Sequence, residues 1–288
     1  DKAVASGVTF EARAPFHELS RGSDGRYEVR AGSQRYSARV VVGADGANSR
    51  VARSLGLDRI RSTGIALEAN IPLEHSNGWP LDQMGLQLGR MPGGYGWVFP
   101  KGDHINVGVG GWHSIGTILR PALRTLCHSY GFDPSAMEKL QGHPLPLPSP
   151  SRRAVVGHAA LVGDAAGLCD PMSGEGIFAA IQSGIALGEA ADDLLAGRSQ
   201  SLASYQRCVD EEILPELLVS RAMYDIFHAW TTPWILVLMY GKRFWTEYCS
   251  VAGGHLSHQS FVRQWGGPLA SLTLKPAAHI ARRATRAC

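Results

Sequence analysis

"LVGDAAGLCDPMSGEGIFAA", residues 161–180, contains the string Gly174-Glu175-Gly176-Ile177-Phe178-Ala179, which fits the dinucleotide-binding pattern G-x-G-x-x-G/A. An acidic pair, Asp192-Asp193, follows at about the distance of a ribose-binding carboxylate. The pattern works only where its first glycine directly follows a strand, so that the turn aims a helix N-terminus at a pyrophosphate. Here the apolar run Ala159–Val162 stops at Gly163-Asp164, and Cys169-Asp170-Pro171-Met172-Ser173 intervenes before Gly174. The context is wrong for an ADP-binding turn. Asp192 and Asp193 then read as exposed helix surface. Taken apart, the same residues describe a different site. Gly163-Asp164 places a carboxylate at the carboxyl edge of a sheet, where ligands of open α/β folds bind. Pro171 to Gly176 is predicted to bring bare backbone N–H groups to the start of a helix over 176–196, ended by Gly197. A helix start carries about half a positive charge, which suits a ligand that turns anionic.

The rest of the chain frames that site. It has 288 residues, 44% hydrophobic and 18% charged, enough to bury a sizeable core in one large domain or two smaller ones. A net charge of +3 implies no whole-protein attraction to nucleic acid. From Tyr248 to Cys288 there is no Asp or Glu, but there are Arg263, Lys275, Arg282, Arg283 and Arg286. Such a tail is either solvated or leans peripherally on an anionic membrane surface. Five cysteines, Cys127, Cys169, Cys208, Cys249 and Cys288, are widely spaced without C-x-x-C, as expected of a reducing, cytoplasmic compartment with no metal framework. The longest apolar run, Trp234–Tyr240, is far shorter than the ~20 residues of a membrane span.

Alternation and turn residues predict short strands over 8–13, 26–31 and 35–42, with Val40-Val41-Val42 as a buried run, and a helix over 49–55. Antiparallel strands follow from Gly64 to Gly111, with a hairpin at Lys101-Gly102-Asp103. An amphipathic helix over 116–130 and a Pro-punctuated link through "HPLPLPSPSRR" (143–153) come next. The fold class expected is α/β: a cofactor domain over 1–60 and 145–200, interrupted by an antiparallel substrate sheet over 61–144, with a helical C-terminal region over 201–288.

Two motifs carry a resemblance. "VVVGADGANSRVARSLGL" (40–57) turns sharply at Gly43-Ala44-Asp45-Gly46; taken alone, Asp45 is simplest as an ordinary Asp-Gly turn. Together with 161–177 it resembles the Asp-Gly and Gly-Asp motifs of the two-dinucleotide-fold flavoproteins related to aromatic hydroxylases. That resemblance implies a Rossmann-like FAD-binding domain. Asp45 and Gly46 would lie near the flavin and the nicotinamide donor, Gly163 and Asp164 at the ribityl–pyrophosphate region, and Pro171, Gly174 and Gly176 at the isoalloxazine ring. Nothing in 1–39 reads as a strand followed by G-x-G-x-x-G, so the resemblance also implies a first βαβ unit upstream of Asp1.

"PGGYGWVFPKGDHINVG" (92–108) is similar to the P-x-x-Y-x-W-x-F-P-K motif, closed by a later glycine, of the geranylgeranyl reductase family. Pro92, Tyr95, Trp97, Phe99, Pro100, Lys101 and Gly108 fill every position. Tyr95, Trp97 and Phe99 fall at period two and share a strand face, either as a core stripe or as the wall of a long apolar channel. The resemblance implies reduction of isolated double bonds of a polyprenyl lipid by hydride from reduced FAD, with NAD(P)H or ferredoxin as reductant. Lys101 would meet a head-group phosphate or solvent, and Cys169 is a packed residue rather than a redox thiol. No proton donor is legible. A FAD-dependent monooxygenase or halogenase, and a truncated lipid-binding remnant without catalysis, are the rival readings.

Overall fold

The computed structural model describes residues 2–57, 63–149 and 153–265. After a single helical turn, Lys2–Ala5 (α1), strands Phe16–Arg21 (β1), Tyr27–Ala31 (β2) and Gln34–Ala38 (β3) form an antiparallel sheet in that order. The strand expected over 8–13 does not form. Val8 and Phe10 are exposed and Arg13 turns the chain at φ +59°, so with nothing to bury against, pairing begins only at Phe16 opposite Ala31. The strand expected over 35–42 divides as well. After Ala38 the chain crosses to another sheet as Val41–Gly43 (β4), where Val41 is buried but Val42 is 46% exposed, so the apolar run is buried on one face only. Arg50–Ser54 (α2) follows as expected.

A five-stranded antiparallel sheet comprises Thr63–Pro72 (β5), Gly85–Leu88 (β6), Tyr95–Pro100 (β7), His104–Trp112 (β8) and Glu138–Pro146 (β9), in the order β6-β7-β8-β5-β9. One face is closed by the helix Leu119–Ser129 (α3): Ala69, Ile71, Val98, Ile105 and Val107 pack on Leu123, Leu126 and Cys127. The link expected from His143 is instead partly strand, with Pro144 opposite Ile65 and Pro146 opposite Thr63. β9 is an edge strand, the place where proline's missing N–H does least harm to a ladder.

The third sheet brings distant segments together. Val155–Val156 (β10) pairs antiparallel with Ala159–Leu161 (β11), and β11 pairs in parallel with β4. Ile177–Leu195 (α4) and Ala203–Cys208 (α5) cover it, burying Ala160, Leu161, Leu187 and Tyr205. Gly197 at φ +75° ends α4, and Asp192 and Asp193 both pair with Arg198, so neither needs a ribose. Four helices close the described residues: Leu214–Ala229 (α6), Thr231–Tyr240 (α7), Lys242–Ala252 (α8) and His258–Trp265 (α9), with their own cluster around Leu218, Val251 and Phe261. Among the described residues no helix is long and apolar enough to cross a membrane. Of the basic tail only Arg263 is described; Lys275, Arg282, Arg283 and Arg286 lie outside the described residues.

Tyr205 ties α5 to the sheet: it is fully buried and its hydroxyl donates to the Leu161 carbonyl at 2.5 Å. Tyr205→Phe leaves that carbonyl unpaired and is expected to destabilise the fold by about 1–2 kcal/mol, read as a lower urea midpoint at unchanged slope.

Candidate functional site

The parallel pairing of β4 with β11 sets Gly43 beside Leu161, so the Asp45-Gly46 and Gly163-Asp164 turns leave the sheet at the same carboxyl edge. Glycine is required for this approach. A Cβ on Gly43 would lie 2.6 Å from the Leu161 side chain and 2.9 Å from Val51, and one on Gly163 (φ +53°) would lie 2.8 Å from Ala180 of α4.

The two carboxylates at this edge do different things. Asp45 is consumed by its own turn: it accepts the Ser49 hydroxyl at 2.5 Å and the N–H groups of Arg50 and Val51 at 2.7 and 3.1 Å, capping α2. The ordinary-turn reading therefore holds for its side chain. The backbone at Gly46, at φ +74°, has open space around its missing Cβ. Asp164 is the reverse. Its Oδ1 is buried without a hydrogen-bond partner, and a Cβ on Gly176 would sit 2.8 Å from it. A buried acceptor without a donor marks a position where a hydroxyl or N–H is missing. A cradle with a free acceptor fits a polyhydroxylated, flavin-type cofactor. Burial, and then the neighbouring Glu175, push the Asp164 carboxyl up.

Between Asp164 and α4 runs the turn Asp170–Gly176, organised by Asp170. Its Oδ1 accepts the N–H of Met172 (3.0 Å), the N–H of Ser173 (2.7 Å) and the Ser173 hydroxyl (2.8 Å), while its backbone takes Gly174 N–H and gives its own N–H to Glu175. Gly174, at φ +72°, permits the reversal. The Glu175 carboxylate accepts the first N–H groups of α4, from Ile177 and Phe178. The N–H groups expected to be bare are thus mostly engaged. The reason is that a helix start needs acceptors, and a carboxylate two residues before it supplies them with favourable charge. An anionic ligand at this position has Glu175 as its competitor.

The other Asp170 oxygen, Oδ2, is buried without a hydrogen bond, 3.3 Å from His258 Nε2; His258 Nδ1 is 3.8 Å from Glu216. This cluster clamps the turn to α9 and α6. Sequence reading missed it. Asp170 had a local signal, an Asp two residues before its N–H partners, but His258 and Glu216 had none, being joined to it only by packing.

Tyr95 anchors the opposite side of the turn, donating its hydroxyl to the Ser173 carbonyl at 2.5 Å; burial and Asp170 push its phenol up to about 12. Tyr95, Trp97 and Phe99 lie on the sheet face away from α3, with successive ring centroids 5.9 and 6.3 Å apart. They form an aromatic wall rather than part of the sheet core. Gly108 is directly opposite Trp97, and a Cβ there would fall 2.0 Å from the indole, so the closing glycine of the motif seats that ring. The indole N–H donates to Asn106 at 2.7 Å, and Asn106 to Asn70 at 3.2 Å. On the same face, Glu68 lies opposite Gly108 with His143 Nε2 at 3.2 Å. Sequence reading missed this pair too, because His143 belonged to the supposed link. Lys101 is exposed at its hairpin.

No protein-family model matches the chain. It is 38% identical over 161 residues to the geranylgeranyl diphosphate reductase of Synechocystis sp., covering 50% of this chain and 36% of that protein. It is 33% identical over 187 residues to the digeranylgeranylglycerophospholipid reductase of Methanothrix thermoacetophila, covering 61% and 47%. The chain is similar in sequence to these two proteins and spans about half or less of their length. Its fold is shared with a geranylgeranyl bacteriochlorophyll reductase-like protein of Thermoplasma acidophilum (TM-score 0.65, 23% identity, 75% of this chain and 58% of the other). The flavin-dependent halogenase CmlS shares it too (TM-score 0.62, 18% identity, 80% and 45%).

Two outcomes are expected of this chain. Asp164 keeps its proton to higher pH when folded than when unfolded, so its ionisation opposes folding. That penalty is absent below the unfolded value of about 3.9, grows as pH rises through the folded value, and stays above it. Asp164→Asn removes it, so the stability difference between variant and wild type should increase from about pH 3.5 to 7; a difference flat across that range contradicts the assignment. Cys169 is 1% exposed, and burial followed by Asp164, Asp170 and Glu175 pushes its thiol up. Iodoacetamide at pH 8 should label exposed Cys249 and leave Cys169 unmodified until the protein is denatured, as read by peptide mass.

Proposed function

We propose that the protein is an FAD-dependent oxidoreductase that saturates isolated double bonds of a geranylgeranyl (polyprenyl) group, with NAD(P)H or ferredoxin as the source of electrons. One observation carries the reading. A single turn, Asp170–Gly176, has the donor-less Asp164 carboxylate against its last glycine and the Tyr95 phenol bonded to its Ser173 carbonyl. A cofactor cradle and an aromatic wall thus share one loop. The names of the homologues support the prenyl substrate class.

In this reading the cofactor belongs to residues 1–60 and 145–200 and the substrate to the sheet over 61–144. Gly163, Asp164, Pro171, Gly174 and Gly176, with the Gly46 backbone, hold FAD, whose reduced ring supplies a hydride to one alkene carbon. Tyr95, Trp97 and Phe99 lay the prenyl chain flat and exclude water. An unconjugated alkene has no carbonyl to take up charge, so a proton must reach the second carbon from a placed acid. The His143 Nε2–Glu68 Oε1 pair, 3.2 Å apart on the same face as Trp97, is the candidate for placing that acid. A polyprenyl lipid substrate also gives the basic tail from Arg263 onward a use, as peripheral contact with an anionic membrane surface.

Protein reconstituted with FAD and incubated anaerobically with geranylgeranyl diphosphate and a chemical reductant should yield products heavier by pairs of hydrogens. Trp97→Ala should weaken substrate binding roughly tenfold or more, as expected for loss of a large apolar contact. Oxygen-dependent turnover to a hydroxylated or halogenated product would move the protein to the monooxygenase or halogenase class. A protein that stays colourless on FAD addition yet binds the lipid would make it a non-catalytic binder.

A further inference from the structure

The C-terminal helices enclose an apolar recess that the reading above leaves without a role. It encloses about 70 Å³ and opens among α6, α7, α8 and α9, several times the ~10–15 Å³ that holds one water. Its walls include Phe227, Trp234, Leu238, Tyr248 and Phe261, and no charged side chain lines it. A ligand that needs hydrogen bonds would lose its water there without compensation, whereas a hydrocarbon would gain by burial.

Two further observations say which hydrocarbon. The recess is bounded at one end by Met172, the neighbour of Ser173, whose carbonyl takes the Tyr95 hydroxyl. The aromatic wall of β7 and the recess therefore adjoin one turn. At this junction stands Tyr248, whose phenol is pushed up by burial first and then by Asp170 and Tyr95. The second observation is α7, ten residues without a charge. It turns Trp234 and Leu238 into the recess while Leu236 and Met239 stay exposed on its outside. A helix apolar on both faces suits a buried or lipid setting. Exposed Trp230 precedes it, exposed Tyr240 ends it and Lys242 follows, a composition typical of helices lying at a lipid interface.

We propose that this recess holds the distal isoprene units of the prenyl substrate, whose proximal part lies along Tyr95, Trp97 and Phe99, with α7 as the wall nearest the lipid phase. The proposal rests on the prenyl-substrate reading above and deepens it.

A geranylgeranyl diphosphate analogue carrying a diazirine at its ω-terminus tests it on the unmodified protein. Photolysis should label peptides within residues 223–265. Labelling confined to the strands 63–112 overturns the proposal while leaving the reductase reading intact; failure of the analogue and of geranylgeranyl diphosphate to bind overturns both. A second arm uses Leu238→Trp, which fills the recess. Its affinity for geranylgeranyl diphosphate should fall at least tenfold, while affinity for the shorter geranyl diphosphate stays within twofold of wild type. Equal losses for both chain lengths overturn the proposal.

Discussion

Two three-residue strands far apart in sequence, Val41–Gly43 and Ala159–Leu161, lie side by side in parallel, with Gly43 wedged against Leu161 and Val51. A side chain at that point would force the Leu161 and Val51 side chains to shift. The pairing places two turns at one sheet edge and hands the second of them to α4 through Gly163, whose N–H is held by Ser183. Everything that could bind a cofactor is positioned from there. Because a parallel pair needs a long crossover, the whole antiparallel sheet is carried within the connection between these two strands.

The turn after β11 shows how a site can be satisfied and still be open. Asp170 and Glu175 take most of its N–H groups, so the loop has its conformation before any ligand arrives, and little ordering is left for binding to accomplish. The Asp164 Oδ1 is left over. The Asp170 Oδ2 is likewise buried without a hydrogen bond, but it faces His258 Nε2 at 3.3 Å, whereas the Asp164 Oδ1 faces Gly176 at the start of α4.

The turn is also where three packing units meet. The sheet reaches it through the Tyr95 hydroxyl, the helices through His258 against Asp170 and Ser220 against the Met172 N–H. Displacing the turn would disturb all three contacts at once. Sheet and helical bundle are also joined directly, by the Tyr224 hydroxyl on the Gly93 carbonyl at 3.0 Å, which fixes the aromatic wall relative to the helices beside it.

Much of this was legible from residues alone, because local chemistry sets it. Period-two aromatics on one face, the hairpin at Gly102, the helix starting at Gly176 and ending at Gly197, and the false dinucleotide fingerprint all follow from backbone geometry and side-chain size. What depends on which surfaces meet was not legible. Val8 and Phe10 alternate like a strand but have no partner, and Pro144 and Pro146 read as a linker yet lie on a sheet edge that admits proline. Whether an aspartate serves a ligand or its own helix, as Asp164 and Asp45 divide, is decided by which N–H groups the fold brings within reach. The clustering of Asp170, His258 and Glu216 is decided the same way: contacts between distant segments arise from packing, and a linear pattern carries no record of them.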